Sequence, residues 1–190
     1  MTWAPEGPRH DVVISRFGVM FFSDPPGAFA NLVRATRVGG RLAFAAWQRR
    51  DESPLFSVPL HAALGVLRSQ GIRSTAAGVD LDDFVATEGE GPFSLHDPAV
   101  TAGLLDCAGW SDIAIEHHVL ALPFAGGAPP AAAAEAALDF GPTRHVLSGM
   151  GHDVVRAAEG AIDQAFADHI DDDGRVTLSG AVNLVTATRR

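Results

Sequence analysis

The strongest constraint on the fold lies in residues 11–47, DVVISRFGVMFFSDPPGAFANLVRATRVGGRLAFAAW. The run Val12–Ile14 is continuous rather than alternating, which predicts a strand buried on both faces of a parallel sheet. Ser23 or Asp24 then caps a helix. Pro25 fits its first turn, where no backbone N–H is needed. Phe29, Leu32, Val33 and Thr36 share one helical face, and Gly39 or Gly40 supplies a left-handed residue to end it. RLAFAAW follows as a second buried strand. Strand, helix and strand in this order make a βαβ unit, whose right-handed crossover sets the two strands parallel.

The rest of the chain continues the alternation. Residues 51–71 read as a helix with Leu60, Leu64 and Leu67 on one face, and residues 72–92, rich in Gly, Asp and Thr, as a mobile loop. In HDPAVTAGLLDCAGW, Asp97 caps, Pro98 starts the helix, Val100, Leu104, Leu105 and Ala108 form its apolar stripe, and Gly109 stops it. Residues 112–122 form a strand and FAGGAPP a linker. Helices are expected at 131–148 and 150–170, then a DDDGR turn and a last strand, VTLSGAVNLVTATR. Four strands interleaved with about five helices make the fold α/β. The opening MTWAPEGPRH, with Pro5, Gly7 and Pro8, is loop-like and lacks the apolar core of a signal peptide.

Composition narrows the function. The formal net charge is -9 and the 14 basic residues are scattered, which argues against nucleic acid or an anionic membrane as partner. No run approaches the ~20 apolar residues of a membrane helix. One cysteine, Cys107, allows no internal disulfide and sits in an apolar helical pattern, so a core role and a reducing cytoplasm are expected. His117 and His118 are adjacent on a strand and point to opposite faces, His145 and His152 are separated by two glycines, and HIDDDG lacks calcium-loop spacing. No metal is assigned.

The block DVVISRFGVMFFSDPPGAFANLVRATRVGGRLAFAAWQ resembles class I S-adenosylmethionine-dependent methyltransferases of the small-molecule type. LLDCAGWSDIAIE, VTLSGAVNLVTATR and GPFSLHDP resemble later stretches of the same family. The resemblance implies the C-terminal part of a Rossmann-like methyltransferase sheet, with strands in the order 4-5-7-6, the last antiparallel, and helices on both faces. Residues 1–190 would then be a partial domain carrying a helical insertion and loop at 51–92. The family's glycine-rich turn and the acidic residue after its second strand have no counterpart here. GEG at 89–91 and AGG at 125–127 do not open a helix after a strand. S-adenosylmethionine is the cofactor the family implies, and binding by this chain alone is expected to be weak or absent. The strand at 11–17 becomes a sheet edge, able to pair with a second copy or another chain.

The carboxyl ends of parallel strands are where open α/β sheets hold ligands. There the resemblance places Ser15, Arg16 and Phe17 against the cofactor. Their plain alternative is packing for Ser15 and Phe17 and a surface charge for Arg16. Met20, Phe21, Trp47 and Phe56 are the candidate substrate-pocket residues, with core packing as the alternative. No catalytic residue is assigned, because methyl transfer depends mainly on alignment and needs a base only for weakly acidic nucleophiles. The resulting expectation is a methyltransferase-type chain acting on a small molecule, incomplete and weak or inactive by itself. The rival is a non-catalytic remnant serving as a dimerisation or interaction module.

Overall fold

The computed structural model describes residues 9–86 and 91–190. The stretch around Pro5, Gly7 and Pro8, and Gly89 of the GEG run, lie outside the described residues. The chain divides into two compact units, one of residues 9–49, 91–119 and 181–190, the other of 50–86 and 120–180. Four strands, β1 (His10–Arg16), β2 (Thr36–Trp47), β3 (Trp110–Pro123) and β4 (Thr177–Arg189), form one mixed sheet in the order β1-β2-β4-β3. β1 and β2 are parallel and β4 runs antiparallel to β2. The architecture is α/β, and no helix among the described residues is long and apolar enough to cross a membrane.

In the first unit, α1 (Pro25–Ala35) links β1 to β2. Asp24 caps it through the Gly27 N–H, 3.1 Å from its Oδ1. The helix ends earlier than expected. Thr36, extended at φ -98° and ψ 143°, closes it by giving its N–H to the Leu32 and Val33 carbonyls, and its hydroxyl donates to Leu32 O at 2.8 Å. A β-branched residue leaves the helix readily for an extended backbone, so no glycine is required there. Gly39 is left-handed (φ 72°), but within β2, where the register with β1 jumps from His10↔Thr36 to Val12↔Arg41. Gly40 is held to glycine by close approach: a Cβ would lie 2.9 Å from the Arg37 carbonyl and 3.0 Å from that of Asp11.

Register fixes the two faces of this sheet. Val13 and Ser15 align with Leu42 and Phe44, and these with Ala187 and Val185. That face is covered by a core of Phe29, Leu42, Phe44, Leu105, Trp110, Val185 and their neighbours. On the opposite face, Ile14 is 79% and Val12 51% exposed. The Val12–Ile14 run is therefore not buried on both faces. β1 is an edge with one face open.

α4 (Pro98–Ala108) packs against α1. It is capped by Asp97 and stopped by Gly109 at φ 100°. Its buried stripe is Thr101 and Leu105, with Leu104 and Ala108 packed beside it, while Val100 is exposed. Cys107 is exposed as well, which corrects its expected core role. Two residues on from Leu105, it is turned through about 200° from the stripe.

The second unit is helical. Leu60, Ala63, Leu64 and Leu67 of α2 (Pro54–Ser69) are fully buried against Val146 and Leu147 of α6 (Gly141–Leu147) and Ala158 of α7 (His152–Phe166). Of the expected loop at 72–92, residues 87–90 lie outside the described residues, and residues 72–86 are not a plain loop. A bridge joins Ser74 to Asp80, and α3 (Leu81–Ala86) follows. The helix expected over 131–148 is two, α5 (Pro130–Leu138) and α6, because Phe140 is extended (φ -104°, ψ 127°) and Gly141 left-handed (φ 49°).

Candidate functional site

The carboxyl ends of β1 and β2 lie side by side, since the two strands are parallel and neighbours. β1 continues to Phe17, whose N–H donates to the Ala45 carbonyl at 3.1 Å. Phe17 itself is left-handed, φ 56°. A bulky residue there is strained by about 1–2 kcal/mol, and such strain persists only where the surroundings hold it. What holds it is Trp47, the last residue of β2: the two rings stack at 4.2 Å with 8° between their planes. The reversal at Phe17 turns the chain into a tight turn at Gly18, where an added Cβ would sit 3.1 Å from Ser15 Oγ.

Beyond that turn, Met20 is buried, and its sulfur lies 3.3 Å from the Trp47 backbone N–H. Met20 thus reaches the end of β2 while belonging to the core. Phe22 meets Phe29 edge-on at 5.7 Å. Phe21 points outward, 61% exposed. Ser15 is half-buried and Arg16 exposed. The structure therefore gathers Ser15, Phe17, Met20 and Trp47 at one sheet end, with Arg16 and Phe21 on its solvent side. Phe56 belongs to the second unit. It is buried, stacks on Phe140 at 5.2 Å, and that ring meets Phe124 at 80°.

Three polar residues at this end were not singled out from the sequence. Gln48 and Asn183 are both buried and face each other across β2 and β4, Gln48 Nε2 donating to Asn183 Oδ1. The Asn183 Nδ2 donates to the His96 carbonyl at 3.1 Å. Ser94 Oγ donates to the Met20 carbonyl at 2.7 Å. These bonds pin the FSLHD segment to the strand ends. A visible signal for Asn183 was its place inside the apolar run AVNLV, since a buried amide must find partners.

His96 is half-buried in the same segment, its Nδ1 2.9 Å from the Phe93 carbonyl. Donation there requires a proton on Nδ1. Beside it, the backbone N–H groups of Val100 and Ala99 hold the Asp97 carboxyl below the usual carboxylate range, and the nearby His96 lowers it further. The half-buried part of this sheet end is the aromatic step of Phe17 on Trp47, while Met20, Gln48 and Asn183 are buried and hydrogen-bonded within the protein. Elsewhere, in the second unit, an open hollow of about 520 Å³ is lined by Glu135, Leu138, Asp139, Arg144, Leu147, Ser148 and Val155.

No family model and no curated protein matches the sequence. Among solved structures, the YcgJ protein of Bacillus subtilis is similar over 96% of this chain, with 11% identity and a TM-score of 0.44. A Bacillus halodurans C-125 protein with a provisional methyltransferase assignment is similar over 99%, with 15% identity and a TM-score of 0.42. Phosphoethanolamine N-methyltransferase 2 of Haemonchus contortus, bound to phosphomonomethylethanolamine and S-adenosylhomocysteine, is similar over 94%, with 11% identity and a TM-score of 0.40. The chain spans 64% of the first of these, 67% of the second and 33% of the third. All three TM-scores lie below 0.5, and the likenesses carry no statement about activity.

Proposed function

We propose that this chain is of the class I S-adenosylmethionine-dependent methyltransferase type and supplies the methyl-acceptor side of a site for a small molecule. In this reading β1, β2, β3 and β4 stand for strands 4, 5, 6 and 7 of that family, and residues 51–92 are an insertion. The observation that carries it is the strained Phe17 stacked on Trp47 at the carboxyl ends of the parallel β1 and β2. It stands where the sequence resemblance puts the methyl group.

S-adenosylmethionine brings a sulfonium whose methyl carbon is the electrophile. Phe17 and Trp47 present the ring faces that favour a nearby cation. Ser15 and Arg16 flank them, and Met20 backs Trp47. No residue of the sequence matches the family's ribose-gripping acid or glycine-rich turn. Affinity of this chain alone is therefore expected to be weak or absent.

The test is a titration of the isotope-labelled chain, followed through its tryptophan indole resonances. S-adenosylmethionine is expected to shift Trp47 with a millimolar midpoint and to leave the core residue Trp110 unmoved. S-adenosylhomocysteine, which lacks the positive charge, is expected to act more weakly, and Trp47→Leu to abolish binding. Micromolar binding would sink the weak-alone reading. A Trp47 resonance indifferent to saturating ligand would sink the site.

A further inference from the structure

We infer that β1 is a self-complementary edge through which two copies of this chain pair antiparallel, about a two-fold axis at Val13. β1 ends the strand order, and among the described residues its only sheet neighbour is β2. In a parallel pair, alternate residues turn their N–H and C=O groups toward the partner strand and the rest turn them away. The Phe17 N–H donates to Ala45, so from Val12 onward the odd-numbered residues serve β2. The N–H and C=O groups of Val12, Ile14 and Arg16 face outward.

A two-fold axis at Val13 maps this outward set onto itself. Val12 meets Ile14 of the second copy, Ile14 meets Val12, and each such pair exchanges two backbone hydrogen bonds. Side chains agree as well. Val12 and Ile14, 51% and 79% exposed, come together with their symmetry mates as one aliphatic cluster on the open face. On the other face Asp11 stands opposite Ser15 of the second copy, so each hydroxyl can donate to a carboxylate already paired with Arg37. Arg16 stands opposite His10 of the second copy. No carboxylate faces a carboxylate and no guanidinium a guanidinium.

This complementarity commits the edge to a second copy rather than an unrelated chain. Edge strands that stay single are commonly blunted by lysine, proline or an inward charge, and Val12–Ser15 carries none of these.

The test is the mass of the intact chain in solution, by sedimentation velocity across a micromolar concentration series. The expected result is a dimer that dissociates on dilution. Ile14→Pro removes one outward N–H while sparing the β2 ladder, and Ile14→Lys sets a charge in the aliphatic cluster. Both are expected to be monomers with unchanged far-ultraviolet circular dichroism. Val13→Cys in a Cys107→Ser background tests the register, because the two Val13 positions face each other across the axis. Mild oxidation should link it covalently. A wild-type monomer at all concentrations, a dimer that survives both Ile14 variants, or failure of Val13→Cys to cross-link would each overturn the inference. These readouts do not involve S-adenosylmethionine and stand or fall apart from the proposed function.

Discussion

Replacing Asn183 by leucine tests whether the buried amides at the sheet end act as one network. Asn183 is 1% exposed and Gln48 7%. Asn183→Leu removes the acceptor for Gln48 Nε2 and the donor to the His96 carbonyl. A buried polar group left without a partner costs ~1–3 kcal/mol, and two such groups are left. The larger apolar side chain returns ~1 kcal/mol of burial. The expected net loss is about 1–5 kcal/mol, set against a domain's ~5–15 kcal/mol. Urea unfolding followed by tryptophan fluorescence is the assay, since Trp47 and Trp110 both lie in the first unit. With a slope of ~1–3 kcal/mol per molar urea, the midpoint should fall by roughly 1–2 M. The double variant Gln48→Leu/Asn183→Leu removes both members of the pair. It should be at least ~1 kcal/mol more stable than the two single losses added together. A single-variant loss below ~0.5 kcal/mol, or a cycle that closes additively, would refute the network.

Phe17 gives a test in which the smaller residue wins. Phe17→Ala and Phe17→Gly both lose the Trp47 stack, worth ~0.5–1.5 kcal/mol, but only glycine relieves the left-handed backbone. Phe17→Gly should therefore be about 1 kcal/mol more stable than Phe17→Ala in urea, the reverse of the usual order in a strand. Acid should weaken both units through two carboxylates. Asp97 is lowered by the Val100 and Ala99 N–H groups, and Asp171 mainly by the Arg175 N–H, with Thr177, the Asp173 N–H and the Arg175 charge adding to it. A depressed folded-state value means stability that is complete above the unfolded value of ~3.9 and is lost as pH falls through the folded one. Acid titration of Asp97→Asn and Asp171→Asn, followed by circular dichroism, should show a shallower loss below about pH 4 than the parent. An unchanged acid profile would remove these groups from the account.

Local sequence grammar fixed several elements because the interactions concerned are themselves local. Asp24 and Asp97 cap the helices that their spacing from Pro25 and Pro98 announces, and Gly109 stops α4. Leu60, Leu64 and Leu67 are buried, as a shared helical face requires. Phe17, Met20 and Trp47 converge because parallel neighbouring strands must end together. Other features depended on neighbours distant in sequence. The apolar run Val12–Ile14 did not reveal that one of its faces would remain open, because exposure depends on what lies beside and across a strand. Cys107 sits among apolar residues, yet the direction of the α4 stripe turns it to solvent. Thr36 displaced glycine as the end of α1 because it had an extended strand to join. The Gln48–Asn183 pair, 135 residues apart in the chain, came together only when β4 was laid antiparallel against β2. The sequence by itself determined where α1 and α4 begin, where α4 stops and what chemistry the first two strand ends carry. The tertiary structure alone decided which polar groups share a buried network and which edge is left to pair, because both follow from strand order and register.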